Sequence, residues 1–205
     1  MLNFDEISKT EMVNTPFQHF AATGVLNSSD LQKARSDFPK IKNPGIFPLS
    51  ELDCRGQFRE LIDDIRSSEL QKIMEKKYGV DLSDKPLMIT VRGRAQKKDG
   101  RIHTDSKTKF LTCLLYLNEP WDESTGRLRL LRSGGDITDY FTEVPPNGGT
   151  LVSFLRSDNS WHGHEPFEGE RRYIMFNWMT SQAALEADLR RHRISAKAKK
   201  FNPFS

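Results

Sequence analysis

His103, Thr104 and Asp105 form an HTD triplet, and His162 lies 59 residues beyond the first of them. Along a β-strand, residues i and i+2 project to one face, so the imidazole of His103 and the carboxylate of Asp105 would share one space. A later antiparallel strand can bring His162 back beside them. Two imidazoles and one carboxylate make a facial triad that leaves coordination positions open, the donor set that mononuclear iron(II) centres use for reactions with dioxygen. By itself an HxD triplet is weak, because most isolated histidines serve surface or core roles. Arg172 strengthens it, since it opens the run Tyr173-Ile174-Met175-Phe176-Asn177-Trp178, which is apolar enough to read as a buried strand. A guanidinium on an inner strand needs an anion and grips a carboxylate bidentately, which suits the distal carboxylate of a bound keto-acid; a structural salt bridge is the plainer alternative.

Together these blocks resemble the Fe(II)/2-oxoglutarate-dependent oxygenases, and within them the prolyl-hydroxylase-like branch, over roughly residues 86 to 179. TCLLYLNEPW (Thr112 to Trp121) resembles the strand and turn that follow the HxD motif, with Tyr116 where a tyrosine hydroxyl contacts the 2-oxoglutarate carboxylate. GRLRLL (Gly126 to Leu131) looks like the next strand, whose inward leucine, here Leu128, packs on the cosubstrate chain. EVPPNGGTLVSFLRSDNSWH resembles the segment ending at the second ligand histidine, here His162, and RYIMFNW carries an arginine at Arg172 and a tryptophan at Trp178. The resemblance implies Fe(II), 2-oxoglutarate and O2 as the reacting set. His103, Asp105 and His162 would ligate the metal, Arg172 and Tyr116 would hold the cosubstrate, and Leu128 and Trp178 would wall the pocket. The implied reaction is hydroxylation of an unactivated C–H bond with release of succinate and CO2. Two departures stand out. His162 precedes Arg172 by ten residues, one more than in animal members of the family it resembles, a spacing that Arg171 would satisfy; Arg172 is preferred because RY opens the strand. His164 would share a face with His162, but the proline four residues after the ligand histidine, here Pro166, favours His162.

Other readings compete. His162, His164 and Glu168 have the H-x-H-x3-E spacing of a cupin metal motif, although Arg156 and Met175 occupy that motif's glycine positions. A zinc hydrolase is disfavoured because neither cysteine has a partner at C-x2–4-C spacing. A catalytically silent binding module with the same fold is a further alternative, opposed by the intact triad and arginine.

The elements that must position these groups can be read from pattern. The expected class is mainly β with flanking helices, a double-stranded β-helix of jelly-roll or cupin-like form buttressed by N-terminal helices. A single domain over residues 1–205 would divide into a helical support region (1–85), the catalytic core (86–180) and a basic C-terminal helix or tail (181–205). SSDLQKARSDF starts with a Ser-Ser-Asp cap, and QFRELIDDIRSSELQKIMEKKYG carries helical apolar spacing up to Gly79. The stretch FPKIKNPGIFPLSELDCRG reads as irregular chain, with Phe38, Phe47 and Pro48 pinning it to the core. From Pro86, short apolar runs are broken by turns such as KKDG, RSGGD and PPNGG, as an antiparallel barrel or sandwich demands.

Composition sets bounds. With 36% hydrophobic and 29% charged residues the usage is that of an ordinary globular domain. Cys54 and Cys113 indicate no disulfide framework, and Cys113 falls in an apolar strand where it should be a small buried hydrophobe. The acidic, polar start MLNFDEISKTEM does not look like a signal peptide, and no apolar run approaches the ~18 residues of a membrane span, so a cytoplasmic location is expected. Ser181 should cap a last helix that turns basic through Arg190, Arg191, Arg193, Lys197, Lys199 and Lys200, either a solvated helix end or a peripheral contact with a membrane surface. A net charge of only +3 argues against a dedicated nucleic-acid binder. Arg92, Arg94, Lys97, Lys98, Arg101, Lys107, Lys109, Arg127, Arg129 and Arg132 gather around the expected mouth. By field focusing they suggest an anionic substrate. A small molecule or a saccharide- or lipid-linked one is the leading reading, with proline, a free amino acid or a protein as the alternative.

Overall fold

The structure is a computed structural model; it describes the backbone of residues 1–201 and side chains up to residue 196. The chain begins with helix α1 (Phe4–Lys9), strand β1 (His19–Ala22), helix α2 (Ser28–Ser36) and strand β2 (Phe47–Pro48). Helices α3 (Gly56–Ile65) and α4 (Ser68–Tyr78) follow. The β-rich part comprises β3 (Leu87–Ala95), β4 (Lys109–Tyr116), β5 (Leu128–Leu131), β6 (Tyr140–Val144), β7 (Leu151–Leu155), β8 (His162–Gly163) and β9 (Gly169–Met179), and helix α5 (Gln182–Phe201) closes the chain.

Helix boundaries follow local chemistry. Asn27, not the Ser-Ser pair after it, caps α2, its side chain accepting from the Asp30 amide at 2.8 Å. The long helical pattern splits in two, because Ser67 accepts from Leu70 N and starts α4 afresh. Gly79 ends α4 in the left-handed conformation (φ 65°), which costs glycine nothing. As expected, Ser181 accepts from Ala184 N at the start of α5.

The strands form two antiparallel sheets, a six-stranded one in the order β1-β7-β4-β9-β3-β2 and a three-stranded one in the order β6-β5-β8. This is the double-stranded β-helix arrangement expected from the strand pattern. The first 85 residues are not purely helical, however: β1 pairs with β7 and β2 with β3, so this region supplies both edge strands of the large sheet. HFAA is too short for alternation to reveal, and Phe47-Pro48 sits where proline is tolerated because an edge strand needs no amide on its open side.

Two cores result from strand alternation. Cys113 and Leu115 of β4 and Ile174, Phe176 and Trp178 of β9 pack against Phe58, Leu61, Ile62, Leu70 and Met74 of α3 and α4. The opposite faces, Leu114 and Tyr116 of β4 with Tyr173 and Met175 of β9, meet Leu128, Leu130 and Val144 of the small sheet. The central strand β9 is thus buried on both sides, one face toward the helices and the other toward the space between the sheets.

Candidate metal centre

Between the sheets a cavity of about 240 Å³ is lined by His103, Asp105, His162, Tyr116, Leu128 and Arg171, among others. His103 precedes β4 and is tied to β8 by two backbone hydrogen bonds, His103 N to His162 O at 3.0 Å and His162 N to His103 O at 2.9 Å. This reciprocal bridge places the two imidazoles with ring centroids 4.3 Å apart. One ligand atom from each of His103, Asp105 and His162 lies within 4.8 Å of the others, and among the described residues this is the group with metal-binding geometry.

The donors fit a divalent ion. Nδ1 of His103 faces the Arg101 carbonyl at 2.8 Å, and Nδ1 of His162 faces the Ser160 carbonyl at 3.0 Å. A carbonyl only accepts, so each Nδ1 must donate, leaving Nε2 with a free lone pair. Burial pulls the His162 pKa down to about 4, with Asp105 opposing and His103 assisting, so its ring is neutral at physiological pH. Asp105 is 5% exposed, and burial would push its carboxyl up; Lys109, His162 and hydrogen bonds from Lys109 and Thr112 outweigh that and hold it well below the usual carboxylate range. Thr112 Oγ1 donates to Asp105 Oδ2 at 2.5 Å, and Asn177 Nδ2 donates to Thr112 Oγ1 at 2.8 Å. Lys109 Nζ donates to Asp105 Oδ1 at 2.7 Å. Sequence reasoning missed Lys109, Thr112 and Asn177 as supports of the carboxylate; the signal was a polar residue interrupting each of two apolar strands.

Arg171, not Arg172, faces this cavity, correcting the strand register expected from sequence. Arg171 is 4% exposed. Its Nε donates to the Gly126 carbonyl at 3.1 Å, Nη2 reaches the Tyr116 hydroxyl at 3.5 Å, and the guanidinium lies 5.4 Å from the Tyr116 and Tyr173 rings. No carboxylate pairs with it among the described residues. Arg172, one residue along the strand, points the opposite way, pairing with Glu170 at 2.9 Å and lying over Phe38. Trp178 shares the outward parity of Arg172 and is buried in the helix-facing core beside Phe176, so it does not wall the cavity. Tyr116 and Leu128 do line it, fully and almost fully buried.

His164 also borders the cavity, with Nδ1 on the Glu165 carbonyl at 2.8 Å, but it stands outside the metal group, and Glu168 is exposed, so the cupin-type ligand set does not assemble. Much of the expected basic mouth is neutralised within the fold. Arg92 pairs with Asp99, Arg129 with Glu143 and Glu165, Arg127 with Glu143, and Arg132 with Asp139. Lys97, Lys98 and Arg101 remain exposed, form no ion pair among the described residues and border a shallow depression that shares His164 with the cavity. In α5, Arg191 pairs with Asp188 and Arg193 donates to Ser50, while the side chains of Lys197, Lys199 and Lys200 lie outside the described residues. Among the described residues no helix is long and apolar enough to cross a membrane.

Comparison with known proteins agrees with this geometry. Residues 92–180 match the family model of the 2OG-Fe(II) oxygenase superfamily, a span that contains all three ligand candidates and Arg171. No curated protein sequence matches the chain. Among solved structures, the Pseudomonas putida prolyl-4-hydroxylase superposes with a TM-score of 0.56 at 15% identity, covering 86% of this chain and 96% of that one. The viral collagen prolyl hydroxylase of Paramecium bursaria Chlorella virus-1, solved with 2-oxoglutarate, gives 0.53 at 17% identity, covering 80% and 95%. HygX from Streptomyces hygroscopicus, solved with nickel and 2-oxoglutarate bound, gives 0.54 at 13% identity, covering 78% and 80%. Fold and site define a non-haem iron oxygenase of double-stranded β-helix type. Residues 92–180, the segment that carries the site, match the 2OG-Fe(II) oxygenase superfamily, and fold and site together mark an enzyme of that class, with iron as cofactor and 2-oxoglutarate as cosubstrate.

Proposed function

We propose that His103, Asp105 and His162 hold Fe(II), and that Arg171 with the Tyr116 hydroxyl binds the distal carboxylate of 2-oxoglutarate while Leu128 packs along its chain. The observation that carries this is Arg171, a buried guanidinium without a carboxylate partner among the described residues, facing the same cavity as the triad. A buried charge is expensive unless paired, and a carboxylate is the partner its planar fork fits best. When bound, the metal and cosubstrate supply the oxidising power: one O2 and one 2-oxoglutarate are consumed, a C–H bond becomes C–OH, and succinate and CO2 leave. The chain's own part is positioning and exclusion of water. Thr112 and Lys109 fix the Asp105 carboxylate, the carbonyls of Arg101 and Ser160 fix both imidazole tautomers, and burial keeps the Tyr116 phenol protonated, so its hydroxyl can donate.

The substrate is anionic in this reading, a small molecule or one linked to a saccharide or lipid, drawn toward the mouth by exposed Lys97, Lys98 and Arg101. The test is succinate formation from 2-oxoglutarate by Fe(II)-loaded protein with and without oxygen. Oxygen-dependent succinate that disappears in Asp105→Ala is the expected result. No succinate in any condition, together with no thermal response to metal and 2-oxoglutarate, would refute the proposal.

A further inference from the structure

Resting on the oxygenase reading above, the cavity lining carries one more cation than anion. Three cations line the cavity, Arg92, Lys109 and Arg171, against two anions, Asp99 and Asp105. Loading a divalent metal and the dianion of 2-oxoglutarate leaves that surplus of one positive charge unchanged. Pairing then locates it. Arg92 is held by Asp99. Arg171 would take the distal carboxylate, and the metal would draw on Asp105 and on the cosubstrate's other carboxylate. Lys109 remains, its Nζ 2.7 Å from Asp105 Oδ1, a carboxylate it would share with the metal, and its side chain 12% exposed.

We propose that Lys109 is the docking residue for a carboxylate of the primary substrate, beside the metal centre. Its ammonium is a compact charge on a flexible stem with three donors, so it can keep one on Asp105 and turn another into the cavity. Its surroundings describe the rest of the ligand: the Met175 sulfur lies 3.9 Å from Nζ, and Leu114 and Ile46 add to the cavity's apolar wall. A ligand with a single carboxylate on an apolar body satisfies both the ammonium and this wall. The rim lysines act at a distance, whereas Lys109 makes the contact that sets which end of the molecule approaches the metal.

The test uses Mn(II)-loaded protein saturated with 2-oxoglutarate without oxygen, titrated with hexanoate and with hexanamide while binding is followed by thermal shift and calorimetry. Wild type should bind hexanoate and ignore hexanamide. Lys109→Met should weaken hexanoate by about tenfold to a hundredfold, the range expected for a charge-assisted hydrogen bond, while still binding Mn(II) and 2-oxoglutarate. Lys109→Arg should retain hexanoate binding, guarding against a folding artefact. Hexanoate bound equally well by the Met variant, or not bound by wild type that does respond to Mn(II) and 2-oxoglutarate, would overturn this inference alone. Loss of Mn(II) binding in the Met variant would overturn it too, reducing Lys109 to a prop for Asp105. No response of wild type to Mn(II) and 2-oxoglutarate would overturn the oxygenase reading itself.

Discussion

Arg171→Ala and Arg172→Ala are adjacent substitutions with opposite expected consequences. Arg171 faces the cavity almost wholly buried and would give its carboxylate ligand two charge-assisted hydrogen bonds. Such bonds contribute about 1.5–3 kcal/mol each, so losing both costs at least ~3 kcal/mol, or about two decades in Kd for 2-oxoglutarate. At a concentration near 100 times the wild-type Kd, ligand binding stabilises the fold by about 2.7 kcal/mol; with Kd raised a hundredfold the same concentration adds only ~0.4 kcal/mol. For a chain of this length each kcal/mol moves Tm by roughly 2–4 °C, so the 2-oxoglutarate shift should fall from about 5–11 °C to ~1 °C. Arg172 forms a partly exposed pair with Glu170 and lies over Phe38, away from the cavity. A pair of that kind is worth about 0–1 kcal/mol, so Arg172→Ala should leave the ligand shift intact. Differential scanning fluorimetry of Mn(II)-loaded wild type and both variants, with and without 2-oxoglutarate, decides the matter. A shift abolished in Arg172→Ala and kept in Arg171→Ala would refute the strand register on which the binding site rests.

Two further outcomes are expected. The metal-free protein should lose stability on mild acidification: the His162 pKa is depressed from 6.5 to about 4, chiefly by burial, so the unfolded chain takes up a proton near pH 6.5 that the folded chain accepts only near pH 4. That contribution is complete above about pH 6.5 and falls by on the order of 3 kcal/mol by pH ~4, measurable as urea midpoints across this range and contradicted by a flat profile. Native protein should also expose its two thiols unequally to a disulfide reagent. Cys54 is partly exposed, whereas Cys113 is fully buried, its Sγ on Ser153 Oγ at 3.2 Å and its thiol pushed far up by burial. One equivalent should therefore react in the folded state and two after denaturation, and equal rates would contradict the placement of β4.

The β-rich segment and the grouping of His103, Asp105 and His162 were legible because turns punctuate the strands and because these three are donor types with few roles together. Register in the last strand was not. Both faces of β9 are buried, so alternation of apolar and polar residues, which normally reveals the inward face, carries no contrast there. A finer pattern does exist. Ile174, Phe176 and Trp178 are purely hydrocarbon or nearly so and pack on the helices, while Arg171, Tyr173, Met175 and Asn177 carry heteroatoms and turn to the cavity or the carboxylate relay. Arg172 and Trp178 do share one face of the strand, and that face is the helical one. Strand β1 was missed for a different reason, since four residues at a sheet edge are held by their pairing with β7 rather than by any preference of their own.

The backbone bridge between His103 and His162 bears on the order in which the enzyme is assembled. Because reciprocal amide-to-carbonyl bonds fasten the two histidines to one another, the fold's own hydrogen bonds are enough to hold them side by side. Folding is then separable from metallation, unlike small zinc modules whose chains order only around their ion. Newly made chains would mature into competent but empty molecules, and the fraction that becomes active would be governed by iron supply and by competition from other divalent ions, not by the yield of folding.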